Sequence, residues 1–136
     1  MKVVNLHYPH KDLVPSIVRQ RCIVEAAGCK QDIDDMNSIH HFLEHLCLVL
    51  NMVPMSAPMV LRVPILRQHG NNPDDYGVSA VQIWMESGVT MHTWPELGFI
   101  DINVETCKPF NPAKIGELVN AFFDATDVQI TNIQTS

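Results

Sequence analysis

Long hydrophobic runs are missing from this sequence, and so is any cluster of positive charge. No stretch approaches the roughly 20 consecutive apolar residues that a membrane span requires, so no membrane partner is expected. Nine Lys and Arg are scattered against fifteen Asp and Glu, giving a formal charge of −6. Nucleic-acid binding needs clustered Lys and Arg on phosphates, and no run of them exists here. A positively charged small molecule suits this balance better. The opening MKVVNLHYPH has no apolar core of the secretory kind. The four cysteines, Cys22, Cys29, Cys47 and Cys107, form no C-x-x-C pair. A cytoplasmic protein with reduced thiols is therefore expected, with Cys22 and Cys47 serving as small buried hydrophobes.

What is present fits one domain over residues 1–136, with 46% hydrophobic and 18% charged residues. VRQRCIVEAAGC reads as a strand closed by Gly28. NSIHHFLEHLCLVLN is a helix: Ile39, Phe42, Leu43, Leu46, Val49 and Leu50 recur at helical spacing, and Asn37 or Ser38 can cap it. MVLRVPIL reads as a strand that Pro64 moves towards a sheet edge. HGNNPDDYG has loop composition, and β segments follow at 78–86, 89–94 and 98–106. NPAKIGELVNAFF closes with a second amphipathic helix, capped by Asn111 with Pro112 in its first turn. DVQITNI is a last strand, while the first sixteen residues carry no clear signal. The expected fold class is α+β: a two-layer sandwich of a mostly antiparallel sheet with both helices packed on one face.

Two sets of residues invite chemistry. His41-x-x-Glu44-His45 matches the H-x-x-E-H pattern of one zinc-peptidase class, since histidines at i and i+4 share a helix face. They project away from the apolar stripe, however, and no third ligand is evident. A solvated polar face is the expected role, with no metal.

The second set lies in GVSAVQIWMESGVTMHTWPELGFIDINVETC, residues 77–107. Singly, Ser79, His92 and Cys107 each have an ordinary packing explanation. Together the GVS serine, the Glu86-Ser87 pair, HTWPE with its histidine five residues after Ser87, and Cys107 twenty after it resemble the prokaryotic-type S-adenosylmethionine decarboxylases. Fainter similarity extends over about residues 17–133.

That resemblance implies a pyruvoyl enzyme that builds its prosthetic group from its own chain. Ser87 would attack the Glu86 carbonyl, and cleavage would leave a β fragment, 1–86, and an α fragment, 87–136, headed by a pyruvoyl group derived from Ser87. It further implies Cys107 as proton donor, Ser79 and His92 as aids to processing, and Glu96 as the holder of ribose hydroxyls. A homodimer or larger assembly, with S-adenosylmethionine as the substrate feeding polyamine synthesis, belongs to the same implication. Two departures stand out. Gly88 replaces the histidine that often follows the cleavage serine, which leaves open a turn too slack for acyl shift. Ala26, Ala27 and Pro73 occupy positions near those where the family has adenine-stacking rings, leaving Tyr76 as the nearby aromatic. Two alternatives follow: the same machinery acting on arginine or ornithine, or a non-cleaving paralogue serving as a binding or regulatory subunit.

Overall fold

Among the described residues seven strands alternate between two faces, and only one of those faces is covered. The computed structural model describes residues 1–10, 12–65 and 75–135. Its strands are β1 (Lys2–His7), β2 (Gln20–Ala27), β3 (Met59–Pro64), β4 (Tyr76–Trp84), β5 (Ser87–Trp94), β6 (Phe99–Thr106) and β7 (Asp127–Gln134). Helix α1 (Met36–Val49) follows β2, α2 (Ala113–Phe123) follows β6, and a single 3-10 turn, Pro95–Leu97, joins β5 to β6. The sheet order is β1-β7-β2-β6-β5-β4-β3. β1 pairs with β7 in parallel, and the other pairs are antiparallel.

The period of two in the sequence becomes the layering of the fold. Cys22, Val24 and Ala26 of β2, Val89 and Met91 of β5, and Ile100, Ile102 and Val104 of β6 are buried beneath the helices. Ile39, Phe42, Leu43 and Leu46 of α1 and Ile115, Val119 and Phe123 of α2 close that layer from above. The residues between them, such as Ile23, Ser79, Val81, Ile83, Thr90, His92 and Asp101, project from the opposite face, on which no element of the described chain packs.

The expected α+β sandwich is therefore observed, with corrections at its edges. α1 begins one residue earlier than expected, at Met36, and its N-cap is Asp35 rather than Asn37 or Ser38. The Asp35 carboxylate accepts from the amides of Asn37 (2.9 Å) and Ser38 (3.3 Å). An anionic acceptor suits the positive end of the helix, so it outcompetes the neutral caps that follow it. At α2 the boundary falls on Pro112, already helical at φ −59°, while Asn111 Oδ1 still accepts from the Ala113 amide at 3.1 Å. β3 lies at the sheet edge, as Pro64 required, and ends there. Of the expected loop over 69–77, residues 69–74 lie outside the described residues, and Tyr76 and Gly77 already belong to β4. β1 had no sequence signal because its side chains are exposed along its whole length: backbone pairing with β7 makes it a strand, not burial.

Candidate active site

Trp84 and Ser87 face each other across the β4–β5 hairpin, leaving Met85 and Glu86 as a two-residue turn. Such turns usually take positive φ inside the loop, where it matches the twist of the strands. Here the positive values fall just after it, on Ser87 (φ 140°) and Gly88 (φ 152°). A serine in that region is held against its own Cβ, at a cost on the order of 1–3 kcal/mol. The strain therefore sits on the Glu86–Ser87 junction.

The turn is fixed from several sides. The Trp84 indole is buried and donates to Gln82 Oε1 at 2.9 Å. The Met85 amide donates to the Val53 carbonyl at 2.8 Å, and the Val53 amide donates to the Glu86 carboxylate at 3.0 Å. Most informative is the Glu86 backbone carbonyl, which accepts from the Cys107 amide at 2.9 Å. Attack on that carbonyl by a hydroxyl would place negative charge on this oxygen, and an aimed N–H is the group that stabilises it. The segment carrying Cys107 is itself anchored: Lys108 Nζ donates to the Asn51 carbonyl at 2.6 Å, beyond the end of α1.

The thiols differ in surroundings. Burial pushes Cys22 up to about 12 and raises Cys29 and Cys47, the last helped by the charge of Glu86. Cys107 alone of the four is exposed, and it stands beside the turn.

Gly88 has no room for a side chain. A Cβ built on it would lie 2.5 Å from the Gln82 carbonyl oxygen, so the backbone path shown here admits only glycine. Its missing side chain helps to open a cavity of ≈ 380 Å³ that Ser87, Thr90, Asn103, Arg21 and Glu105 also line. Arg21 and Glu105 form an ion pair of 2.9 Å across that wall. Gly88→Ala in an uncleavable Ser87→Ala background should therefore lower the thermal midpoint by at least about 3 °C, read by calorimetry. An unchanged midpoint would show that the turn relaxes freely.

Ser79 and His92 are direct cross-strand partners on the uncovered face, with Ser79 Oγ 2.8 Å from His92 Nδ1. They lie five strand positions from Ser87, about 17 Å along β5. Glu96, in the 3-10 turn after β5, belongs to the His92 end. Tyr76 starts β4, eight positions from Trp84, with the Arg62 guanidinium over its ring at 4.8 Å. Ala26 and Ala27 end β2 at the same side of the sheet, and Pro73 lies outside the described residues. The expected residues thus gather as two groups: Glu86, Ser87 and Cys107 at one end, and Ser79, His92, Glu96 and Tyr76 at the other.

Sequence reading missed two aromatics at the second end. Trp94 and Phe99 are registered neighbours on the uncovered face, with ring centres 5.5 Å apart, and Trp94 lies 6.4 Å from the His92 ring. The HTWPE block held the signal, since its tryptophan shares strand parity with His92. On α1, His41 and His40 reach Glu44 at 3.2 and 3.4 Å, while His45 Nδ1 is 2.8 Å from the His41 carbonyl. Each is engaged locally, and among the described residues no three metal-ligating side chains converge.

The chain as a whole is similar to known proteins. The family described as S-adenosylmethionine decarboxylase covers residues 20–136. A protein of Pyrococcus furiosus named S-adenosylmethionine decarboxylase proenzyme is 30% identical over 114 residues, 82% of this chain and 74% of its own. One of the same name from Moorella thermoacetica is 41% identical over 59 residues, 43% of this chain and 47% of its own. The crystal structure of the adenosylmethionine decarboxylase from Aquifex aeolicus superposes with a TM-score of 0.65 at 20% identity, covering 85% of this chain and 88% of that one, and so shares the fold. With motif block, fold and family match in agreement, the chain belongs to the S-adenosylmethionine decarboxylase family.

Proposed function

We propose that the chain cleaves itself between Glu86 and Ser87 and then decarboxylates S-adenosylmethionine. The observation that carries this reading is the Glu86 carbonyl oxygen held by the Cys107 amide, beside a serine whose backbone is strained. Ser87 Oγ forms an ester with the Glu86 carbonyl carbon as the amide C–N bond breaks, which relieves φ 140° at residue 87. Removal of the Ser87 α-proton then expels the Glu86 carboxylate, and water releases ammonia from the new terminus. The resulting pyruvoyl group would supply an electrophilic ketone and an electron sink for loss of carbon dioxide. Ser87 fits that origin, because the chemistry needs a hydroxyl on Cβ at a strained bond. In this reading Cys107 carries a proton to carbon, and Glu96, at the His92 end, would accept from ribose hydroxyls. Trp94 and Phe99 offer ring surface for adenine where Ala26 and Ala27 offer none.

The two groups of site residues need a second copy to meet. Proton transfer requires contact near 3 Å, against about 17 Å within one chain. The uncovered face exposes Met59, Leu61 and Ile83 at 56%, 51% and 57%, more apolar surface than a solvated sheet face normally shows. A two-fold dimer joined through this face would set Ser79 and His92 of the partner subunit against Ser87 and Cys107.

A denaturing intact-mass spectrum beside a Ser87→Ala control tests the first step. Two fragments are expected, with 87–136 lighter by one ammonia than hydrolysis alone would leave it. A persistent single mass of the full chain, like that of the control, would favour an uncleaved binding or regulatory paralogue. Release of carbon dioxide from carboxyl-labelled S-adenosylmethionine, arginine and ornithine tests the second. The Arg21–Glu105 pair beside Ser87 favours the amino acids as a second reading, since Glu105 could meet a distal cation.

A further inference from the structure

The cavity of ≈ 380 Å³ beside Ser87 carries charge at one place. Ile83, Gly88, Glu105 and Arg21 form one cross-strand row on the uncovered face, from β4 through β5 and β6 to β2. Gly88 adds no side chain to that row, so the gap it leaves opens from Ser87 onto Glu105. Among the described residues that line the cavity, Arg21 and Glu105 alone are ionised, and Thr90 and Asn103 are neutral polar neighbours. A volume of this size lies in the range of small-molecule sites, which combine apolar walls with a few placed polar groups.

Glu105 is held by Arg21, with a guanidinium nitrogen 2.9 Å from a carboxylate oxygen. The two side chains are 43% and 61% exposed, and an ion pair so solvated holds its members weakly. Arg21 is also poorly satisfied where it lies: its Nε is buried and lacks a hydrogen-bond partner among the described residues. An unpaired buried donor is unfavourable, so the guanidinium loses little by moving aside. Other carboxylates are directed elsewhere. Glu86 accepts from the Val53 amide, and Asp101 and Glu25 lie two rows away beside the Ser79–His92 dyad.

We infer that Glu105 is a specificity-determining residue that takes the side-chain cation of an amino-acid substrate, with Arg21 as the partner that this cation replaces. The inference rests on the reading of Ser87 as the reacting residue. A substrate amine directed to that position sets its side chain in the Gly88 gap, and a cation a few bonds beyond the α-carbon then meets Glu105. A guanidinium, an ammonium and a sulfonium all fit this description, and the first two also donate hydrogen bonds to the carboxylate. Exchange of one cation for another keeps Glu105 paired throughout. An uncharged side chain of the same shape offers Glu105 nothing in return for Arg21, which is the basis of selection.

The test uses uncleavable Ser87→Ala protein, in which calorimetry reads binding without reaction. Three matched pairs differ chiefly in charge: arginine against citrulline, ornithine against norleucine, and S-adenosylmethionine against S-adenosylhomocysteine. In at least one pair the charged member should bind more tightly, and that pair identifies the cation. Glu105→Gln should weaken the charged member about tenfold and leave the neutral one within about twofold. Arg21→Met keeps the apolar stem and removes the competitor, so it should strengthen the charged member about two- to fourfold, a gain that misfolding cannot produce. In cleaved protein, Glu105→Gln should raise KM for the same substrate about tenfold with kcat within about threefold. An unchanged affinity in Glu105→Gln, an equal loss for both members of every pair, weaker binding in Arg21→Met, or no binding of any of these ligands at millimolar concentration overturns the inference. Cleavage is read separately: a wild-type chain that stays whole, while Glu105→Gln still loses the charged ligand, overturns the self-processing reading and leaves the cation site standing.

Discussion

Cys107→Ala should leave the chain able to cut itself but lower release of carbon dioxide from S-adenosylmethionine by at least about a hundredfold, the lower end of what a positioned general acid contributes. The two halves of this result come from two different atoms of one residue. The backbone amide of Cys107 holds the Glu86 carbonyl oxygen at 2.9 Å, and alanine keeps that amide. The thiol is exposed beside the turn, whereas burial raises Cys22, Cys29 and Cys47 and leaves them unsuited to exchange protons with substrate. Intact mass would show both fragments in the variant, and labelled carbon dioxide would be counted on the same sample. Activity within about threefold of wild type would remove the thiol from the chemistry. Lost cleavage would instead mean that the side chain, and not the amide alone, serves the first step.

How far the sequence could lead is clearest in the strands. Alternating burial in β2, β4, β5 and β6 follows from side chains that must choose a face, so the two-layer order was legible. β1 was not, because exposed side chains leave no period and its partner is more than a hundred residues away. The cap of α1 was misplaced by two or three residues because Asp35, Asn37 and Ser38 are all competent caps. Only the first is in extended conformation, with φ −95° and ψ 112°. At Gly88 the sequence leaves two readings open. Composition suggests slack, whereas the Gln82 carbonyl beside it leaves no room for another residue. Spacing along the chain also concealed that the site residues fall into two groups. Five residues sound close in sequence, yet a strand turns them into about 17 Å.

That separation leads to the other large effect. Neither Ser87→Ala nor His92→Ala protein should cleave by itself, but the two produced together should. In the proposed two-fold dimer each site draws its cleavable serine from one chain and its dyad from the other. A mixed dimer then holds one complete site, made of Ser87 from the His92→Ala chain and His92 from the Ser87→Ala chain. Random pairing of equal amounts puts about half of the His92→Ala chains into such dimers, so about half of them should be cut, while every Ser87→Ala chain stays whole. Differently tagged chains make the two populations distinct in one mass spectrum. A site completed within one protomer gives no cleavage in any mixture, since each chain would then lack a group that its partner cannot supply. The uncovered apolar face, the 2.8 Å dyad and the strained serine would in that case need a conformational change spanning most of β5. A central strand such as β5, paired along its length to β4 and β6, resists that motion, and the shared site asks for none.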